Sequence, residues 1–326
     1  MLIESRKKDH VELVVKSSAQ YSKTTGLEKV DFIHNALPEI SFDSVDLSLK
    51  FLNKKLKNPL MIIGMTGGYE DAKKINKNLA KAAQKYGLAM GLGSQRAMIE
   101  KPNLTETYQV RDVAPDIPLI GNIGAFQLKK YTSRQIDTMI KAVEADALAI
   151  HLNPLQEVIQ KEGDTDFSGV LKAIAETAAS LEVPIIVKET GAGISGDVAL
   201  KLKDAGVNWI DVSGSGGTSW SKVEYLRHDA TEGFEDWGIP TLDCILSCRG
   251  ILPLIASGGI RSGIDCAKTI ALGADLAGAA YPFLKAAADN RLDLEIEKFI
   301  SQLRICAFLS GSKTHDDLKK AKMMFR

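Results

Sequence analysis

The chain has 326 residues, 45% hydrophobic and 25% charged, and its 41 basic and 41 acidic side chains cancel to a formal net charge of zero. Balanced charge gives no reason to expect nucleic acid or an anionic membrane as a partner, so any anionic ligand must be held by local groups. No segment approaches the roughly 20 apolar residues that span a bilayer, and the four cysteines are too few for a disulfide framework in a chain this long.

The opening residues, Met1 to His10, are charged and lack the apolar core of a secretory signal, so a reduced, cytoplasmic compartment is expected. Residues 1–58 read as an N-terminal extension carrying Arg6-Lys7, a pair that alone is ordinarily a solvated charge run. Eight short apolar runs follow, each ending in small or polar residues: Leu60–Thr66, Leu88–Ser94, Leu119–Gly124, Ala147–Asn153, Ile185–Thr190, Trp209–Ser213, Leu252–Ser257 and Asp275–Ala280. Helix-period segments alternate with them at Asp71–Tyr86, Ser133–Val143, Ser168–Leu181, Ser195–Ala205 and Gly263–Leu272. Runs apolar on both faces suit a parallel sheet covered by helices, and eight βα units predict a (β/α)8 barrel. A doubly wound sheet is the competitor, but Met65-Thr66-Gly67-Gly68 after the first run is not its G-x-G-x-x-G turn. With no linker-like segment, residues 1–326 are expected to form a single domain, with 283–326 as C-terminal helices. Cys244 and Cys248 fall i,i+4 in one predicted helix, and no companion Cys or His pair completes a zinc site.

The polar residues recur at the C-terminal ends of the predicted strands, the active-site face of a barrel. Densest is His151-Leu152-Asn153-Pro154-Leu155-Gln156-Glu157. Period-2 alternation puts Ala149, His151 and Asn153 on one face and Leu148, Ile150 and Leu152 on the other, and proline then stops the strand. Glu157 is suited to share Mg²⁺ with ligand phosphates, since magnesium commonly takes one protein carboxylate plus phosphate oxygens and water. Gly93-Ser94-Gln95-Arg96 ends an earlier strand, and arginine captures phosphate bidentately. Lys188, on a buried strand, must find an anion or acceptor, such as Glu189 or another acid. Ser213–Trp220, Ser257–Gly263 and Gly278-Ala279-Ala280 expose backbone N–H groups in the position of the usual barrel phosphate site.

Together these residues resemble the type 2 isopentenyl-diphosphate isomerases, FMN-dependent (β/α)8 enzymes. The resemblance runs from Arg6-Lys7 to about Lys285 and includes His34-Asn35-Ala36-Leu37-Pro38-Glu39, Met65-Thr66-Gly67-Gly68, Asn122-Ile123-Gly124, the His151–Glu157 stretch, Val187-Lys188-Glu189, Asp236–Thr241 and Ala256–Arg261. It implies interconversion of isopentenyl and dimethylallyl diphosphates by a 1,3-allylic proton shift, with FMN kept reduced by NAD(P)H. It further implies FMN on Met65, Thr66, Gly67, Ser94, Asn122, Lys188 and Thr218, with the cofactor phosphate at Gly258, Gly259, Arg261, Ala279 and Ala280. The diphosphate would meet Arg6, Lys7, Ser94, Gln95, Arg96 and His151, with Asn153 and Gln156 orienting the ligand and Mg²⁺ on Glu157. Gln156 and His151 are the candidate catalytic side chains, although an amide is a poor proton donor and acid–base work is assigned chiefly to the flavin. His10 is either a substrate-shell residue or a surface histidine. Relatives of this kind are often tetramers or octamers. One departure is Ile63-Gly64, where a small or hydroxyl residue is expected nearer the flavin.

Two other readings are weighed. A 2-hydroxy-acid oxidase on the same barrel wants a histidine base beside an arginine after the seventh strand, where this chain has Gly258-Gly259-Ile260-Arg261. A non-catalytic phosphometabolite-binding barrel would not need Gln156 or Glu157.

Overall fold

A strand that is apolar on both faces must be covered on both, and a closed parallel barrel ringed by helices achieves this without leaving a sheet edge. The computed structural model describes residues 3–15, 19–228 and 231–326; Arg6 lies within the first helix, but its side chain is outside what is described. Strands β1 (Leu60–Ile62), β2 (Ala89–Gly91), β3 (Leu119–Gly124), β4 (Ala147–Leu152), β5 (Ile185–Glu189), β6 (Trp209–Asp211), β7 (Leu254–Ala256) and β8 (Leu276–Ala279) pair in that order, and β8 closes on β1. The (β/α)8 expectation holds. The helices Glu70–Tyr86, Ser133–Ala142, Val170–Ser180, Gly196–Asp204 and Gly263–Ala271 lie within two residues of their expected bounds.

Alternation sorts the strand side chains into two layers. Leu60, Ile62, Leu148, Ile150, Val187 and Ile210 face outward into the core beneath the helices. Met61, Ala89, Ile120, Ala147, Ala149, Ile186, Ile255 and Leu276 face inward and fill the lower barrel. The N-terminal extension closes the floor with a hairpin, Leu49–Phe51 against Lys54–Leu56. Its two loop residues, Leu52 and Asn53, have φ of 48° and 62°, the left-handed values of a two-residue turn matched to strand twist. Phe51, 1% exposed, packs edge-on to Trp209 with ring centroids 4.9 Å apart.

Several strands end earlier than the apolar runs suggest. β1 stops at Ile62 instead of Thr66 and β2 at Gly91 instead of Ser94, because the two backbones converge beyond those points. A side chain at Gly64 would overlap the Leu92 carbonyl, and one at Gly93 would stand 2.6 Å from the Thr66 nitrogen. Glycine is therefore dictated by space at both positions, and the residue next to Ile63 is as small as it can be. The C-terminal segment is also less helical than expected. After Tyr281–Ala288, Leu292–Leu309 and His315–Leu318, residues Met323–Phe325 form a strand antiparallel to Val30–Phe32, tying the two ends of the chain together. Cys244 and Cys248 are buried free thiols on the helix Thr241–Cys248.

Removing the Phe51 ring should leave an unfilled barrel floor. Phe51→Ala is expected to cost about 3–5 kcal/mol, measured as a lower urea midpoint at unchanged slope; a loss under about 1 kcal/mol would mean that the hairpin is not a packed plug.

Candidate active site

The strands' C-terminal ends open into a cavity of about 250 Å³. The helix Ile3–Val15 lies across its mouth, where Val14 joins Ala19, Val223 and Leu284 in an apolar cluster backed by Met65, Trp220 and Tyr281. From this helix Lys7 donates to the Ser94 carbonyl at 2.6 Å and to the Tyr108 hydroxyl at 2.7 Å, and that hydroxyl donates to the same carbonyl at 2.7 Å. His10 lines the cavity, with Nε2 2.9 Å from Glu224 and its ring edge-on to Trp220. It is therefore a site residue and not a plain surface histidine.

Register sets the inward row at the cavity's base: Gly124 beside His151, His151 beside Lys188, and Lys188 beside Asp211 across β3 to β6. Asn122 donates from Nδ2 to the Leu92 carbonyl at 2.9 Å, which leaves its Oδ1 to accept from His151 Nδ1 at 2.9 Å. That network places the imidazole proton on Nδ1 and makes Nε2 an acceptor. Burial first, then the Lys188 and Lys7 charges, push the His151 pKa down to about 3, so the ring is neutral near pH 7.

Lys188 does not pair with the Glu189 carboxylate. Its ammonium donates to the Glu189 carbonyl, while Glu189 Oε2 turns the other way and accepts from the backbone N–H groups of Thr190, Gly191, Ala192 and Gly193. Four consecutive donors on one oxygen fix the loop after β5. The carboxylate level with Lys188 is Asp211 instead.

The His151–Glu157 stretch wraps the other wall. After β4 the helix Pro154–Ile159 turns Gln156 and Glu157 back toward Asn153. Asn153 Nδ2 donates to Glu157 Oε1 at 2.9 Å and to Gln156 Oε1 at 3.3 Å, while Gln156 Nε2 donates to Glu224 Oε1 at 3.2 Å. Glu224 is fully buried on the helix Trp220–Arg227, with Arg227 as a further donor. Burial alone would raise its carboxyl, but the His10, Arg227 and Gln156 contacts outweigh that and hold it below the usual carboxylate range. Glu224 escaped the sequence reading, yet it stands one helical turn after Trp220, the last residue of a loop that was singled out. Period 3.6 from that tryptophan was the available signal.

Opposite, the turns after β6 and β7 are pressed together. A side chain at Gly217 would stand 2.5 Å from the Gly259 nitrogen, and Gly258 and Gly259 have φ of 98° and 70°. Thr241 Oγ1 locks the turn by donating to the Gly258 carbonyl at 2.6 Å. Arg261 stacks 4.6 Å over the Tyr281 ring and donates to Gln20. Across the cavity, Thr66 Oγ1 is buried without a hydrogen-bond partner among the described residues. A glycine cradle with an arginine at one end and an orphaned hydroxyl on the wall suit a phosphate-bearing, polar-ringed cofactor such as FMN.

Of the residues expected here, Lys7, Met65, Thr66, Ser94, Arg96, Asn122, His151, Asn153, Gln156, Glu157, Lys188, Thr218, Gly258, Gly259, Arg261, Ala279 and Ala280 line this one cavity. Gln95 does not. It is fully buried, with Oε1 accepting from the Asn122 nitrogen at 2.8 Å and Nε2 on the Met98 sulfur, so it ties the segment after β2 to β3. Gly67 also lies off the wall, packed against the Tyr108 ring. Arg6 falls outside the described side chains. Arg96 is engaged by Glu100 at 2.7 Å and Asp164 at 3.4 Å. Glu157 accepts from Asn153 and from the Asp164 nitrogen at 2.8 Å, and no group of three or more His, Cys, Asp or Glu side chains is placed to hold a metal among the described residues. Glu157 therefore fits Mg²⁺ only as one ligand beside substrate oxygens and water.

Residues 122–324 match the FMN-dependent dehydrogenase family, and the fold and cradle agree: the chain belongs to this class of flavin barrels. A structure of a putative lactate oxidase from Pediococcus acidilactici covers 100% of this chain and 95% of its own at TM-score 0.72 and 17% identity. A mutant flavocytochrome b2 with pyruvate bound covers 97% and 82% at TM-score 0.73, also at 17% identity, and at such identity both likenesses bear on the fold alone. Relatives named isopentenyl-diphosphate delta-isomerase from Pyrococcus furiosus and Nostoc sp. are each 48% identical to this chain, over 98% and 99% of it and 86% and 96% of their own lengths. Within the flavin barrels, the chain belongs to the isopentenyl-diphosphate delta-isomerase family.

His151 links the site to acid stability. Its pKa is lowered on folding, so between about 3 and its unfolded value of about 6.5 the unfolded chain binds more protons, and stability is lost as pH falls through that window. His151→Asn should remove up to about 1.4 kcal/mol per pH unit of that slope. Urea titrations between about pH 4 and about pH 6 test it; parallel slopes for both proteins would refute a buried neutral imidazole.

Proposed function

We infer that the protein is an isopentenyl-diphosphate isomerase that moves a double bond by a 1,3-allylic proton shift on FMN, with Mg²⁺ on the diphosphate. The observation that carries this reading is that the His151–Glu157 stretch and the glycine cradle line one cavity. When bound, reduced FMN supplies an electron-rich ring that stabilises a developing tertiary cation and a nearby acid–base atom.

The residues of this chain then have separable tasks. Lys7 and Arg96 supply local positive charge for the diphosphate, which a chain of zero net charge would not otherwise attract. Glu157 holds the magnesium jointly with phosphate oxygens. His151, neutral and protonated at Nδ1, offers Nε2 as an acceptor, so a direct bond from it to phosphate requires the ring to take a proton first. Gln156 is held between Asn153 and Glu224, which fixes which end of its amide faces the reacting carbons. The helix Ile3–Val15 keeps bulk water from the mouth, which protects a cation from capture. NAD(P)H as reductant, a cytoplasmic setting and assembly into tetramers or octamers complete the reading; no described helix is long and apolar enough to cross a membrane.

The oxidase reading is weaker on physical grounds. A histidine held at about 3 is a poor base for a hydroxy acid, and only His10 and His151 line the cavity among the described residues. A purely binding barrel would not need Gln156, which here is held by both Asn153 and Glu224.

Purified protein supplied with FMN, a reductant and Mg²⁺ one at a time should isomerise isopentenyl diphosphate only with all three, and turnover on oxidised flavin without reductant would overturn the reading. Glu157→Gln should weaken Mg²⁺-dependent substrate binding at least about tenfold, about 1.4 kcal/mol, with FMN affinity nearly unchanged. Equal loss of both would remove Glu157 as the metal ligand.

A further inference from the structure

Asp211 is a buried acid that the isomerase reading leaves without a task. It ends β6, is 2% exposed, and stands in register with Lys188 on the neighbouring strand. Its Oδ1 accepts from Ser257 Oγ at 2.6 Å and from the Ser213 nitrogen at 3.3 Å, so residues from the ends of β6 and β7 hold it in place. Asp211 itself does not line the cavity, whereas Lys188, Ser213 and Ser257 do. An acid is thus fixed beside the cavity's lysine on the adjacent strand; burial pushes its carboxyl up, and Lys188 is the first group that pulls it back toward the charged form.

The charges around Lys188 are few. His151, its neighbour on β4, is neutral and brings no negative charge. Glu189 also supports the ammonium, after Asp211, but one of its carboxylate oxygens is committed to four backbone N–H groups. Lys7 acts from the cavity mouth with the same sign as Lys188. Asp211 is left as the acid whose position answers the buried ammonium, and an ammonium wholly removed from water loses its proton unless an anion compensates. Burial does push the Lys188 pKa down, and Asp211 is the first group opposing that fall.

We propose that Asp211 is a positioning residue that keeps Lys188 cationic, and thereby sets how strongly the site stabilises negative charge on the bound flavin. The proposal rests on the flavin reading above. Without the Asp211 charge, Lys188 becomes a neutral amine at neutral pH, and Asp211→Asn behaves as though the lysine charge itself had been removed. Asparagine keeps an oxygen for Ser257 and Ser213, so the hydrogen bonds survive while the charge goes.

The test compares FMN affinity in the oxidised and reduced states, and hence the bound potential, for the wild type, Asp211→Asn, Lys188→Met and the double variant. Asp211→Asn should lower the preference for reduced FMN about tenfold, a fall of about 30 mV for two electrons. Lys188→Met and the double variant should fall by the same amount without summing. Acidifying Asp211→Asn should restore its potential toward that of the wild type, as the amine regains its proton, whereas Lys188→Met should not recover. A potential for Asp211→Asn equal to or above the wild type would overturn the proposal, because Lys188 would then hold its charge unaided. If Asp211→Asn does not fold, the double variant, free of any unpaired buried charge, decides against Lys188→Met: equal potentials support action through the lysine, and a different potential in the double variant would refute the proposal. Failure of the wild type to bind FMN at all would instead refute the flavin reading.

Discussion

Inter-strand register is the constraint on which the rest depends. Side chains alternate along a strand, so a slip of one residue would carry His151, Lys188 and Asp211 from the barrel interior to the helix layer, and Leu148 and Ile150 into the barrel. The outer core of leucine, isoleucine and valine forbids that exchange, because it would place three ionisable groups against apolar helices. Packing outside the barrel therefore determines chemistry inside it. Small inward residues such as Ala147 and Ala149 at the lower level leave room above them for the polar groups that line the cavity.

Second in importance is how the mouth is covered. The two walls are made by different means: on one side hydrogen bonds from Asn153 through Gln156 to Glu224, on the other glycines so close that no side chain fits between the turns. The first wall keeps its groups in place by donor–acceptor matching, which a ligand can rearrange at modest cost. Backbone contact keeps the second wall in place, and it cannot yield. A rigid phosphate cradle facing an adjustable polar wall suits a cofactor that stays and a substrate that leaves.

Much of this was legible in the chain. All eight strands were, because runs apolar on both faces have few other homes, and the inward direction of His151 followed from alternation with Leu148 and Ile150. The strand ends were less so, since Gly64 and Gly93 stop the ladder through a convergence of backbones that no local pattern records. Gln95 misled for a similar reason: an amide between a serine and an arginine looks like ligand chemistry until the Asn122 backbone is seen to occupy it. Glu189 looked like a partner for Lys188 because adjacency in sequence is visible and the direction of a side chain is not. Glu224, a lone acid on an ordinary helix, becomes meaningful only when His10, some two hundred residues earlier, is folded against it. The floor hairpin was hidden by its length, as three-residue strands carry almost no periodicity.

The pairing of Val30–Phe32 with Met323–Phe325 bears on how the protein is made. Synthesis releases the extension first, yet its strand finds its partner only after residue 325 has emerged, and the helix over the cavity waits for Glu224 and Leu284. Local βα units can form as they leave the ribosome, whereas these contacts close loops of hundreds of residues and come last. The apolar face of Ile3–Val15 is thus without its docking surface for most of translation. The same helix that later lies over the site therefore spends that interval with Val11 and Val14 uncovered.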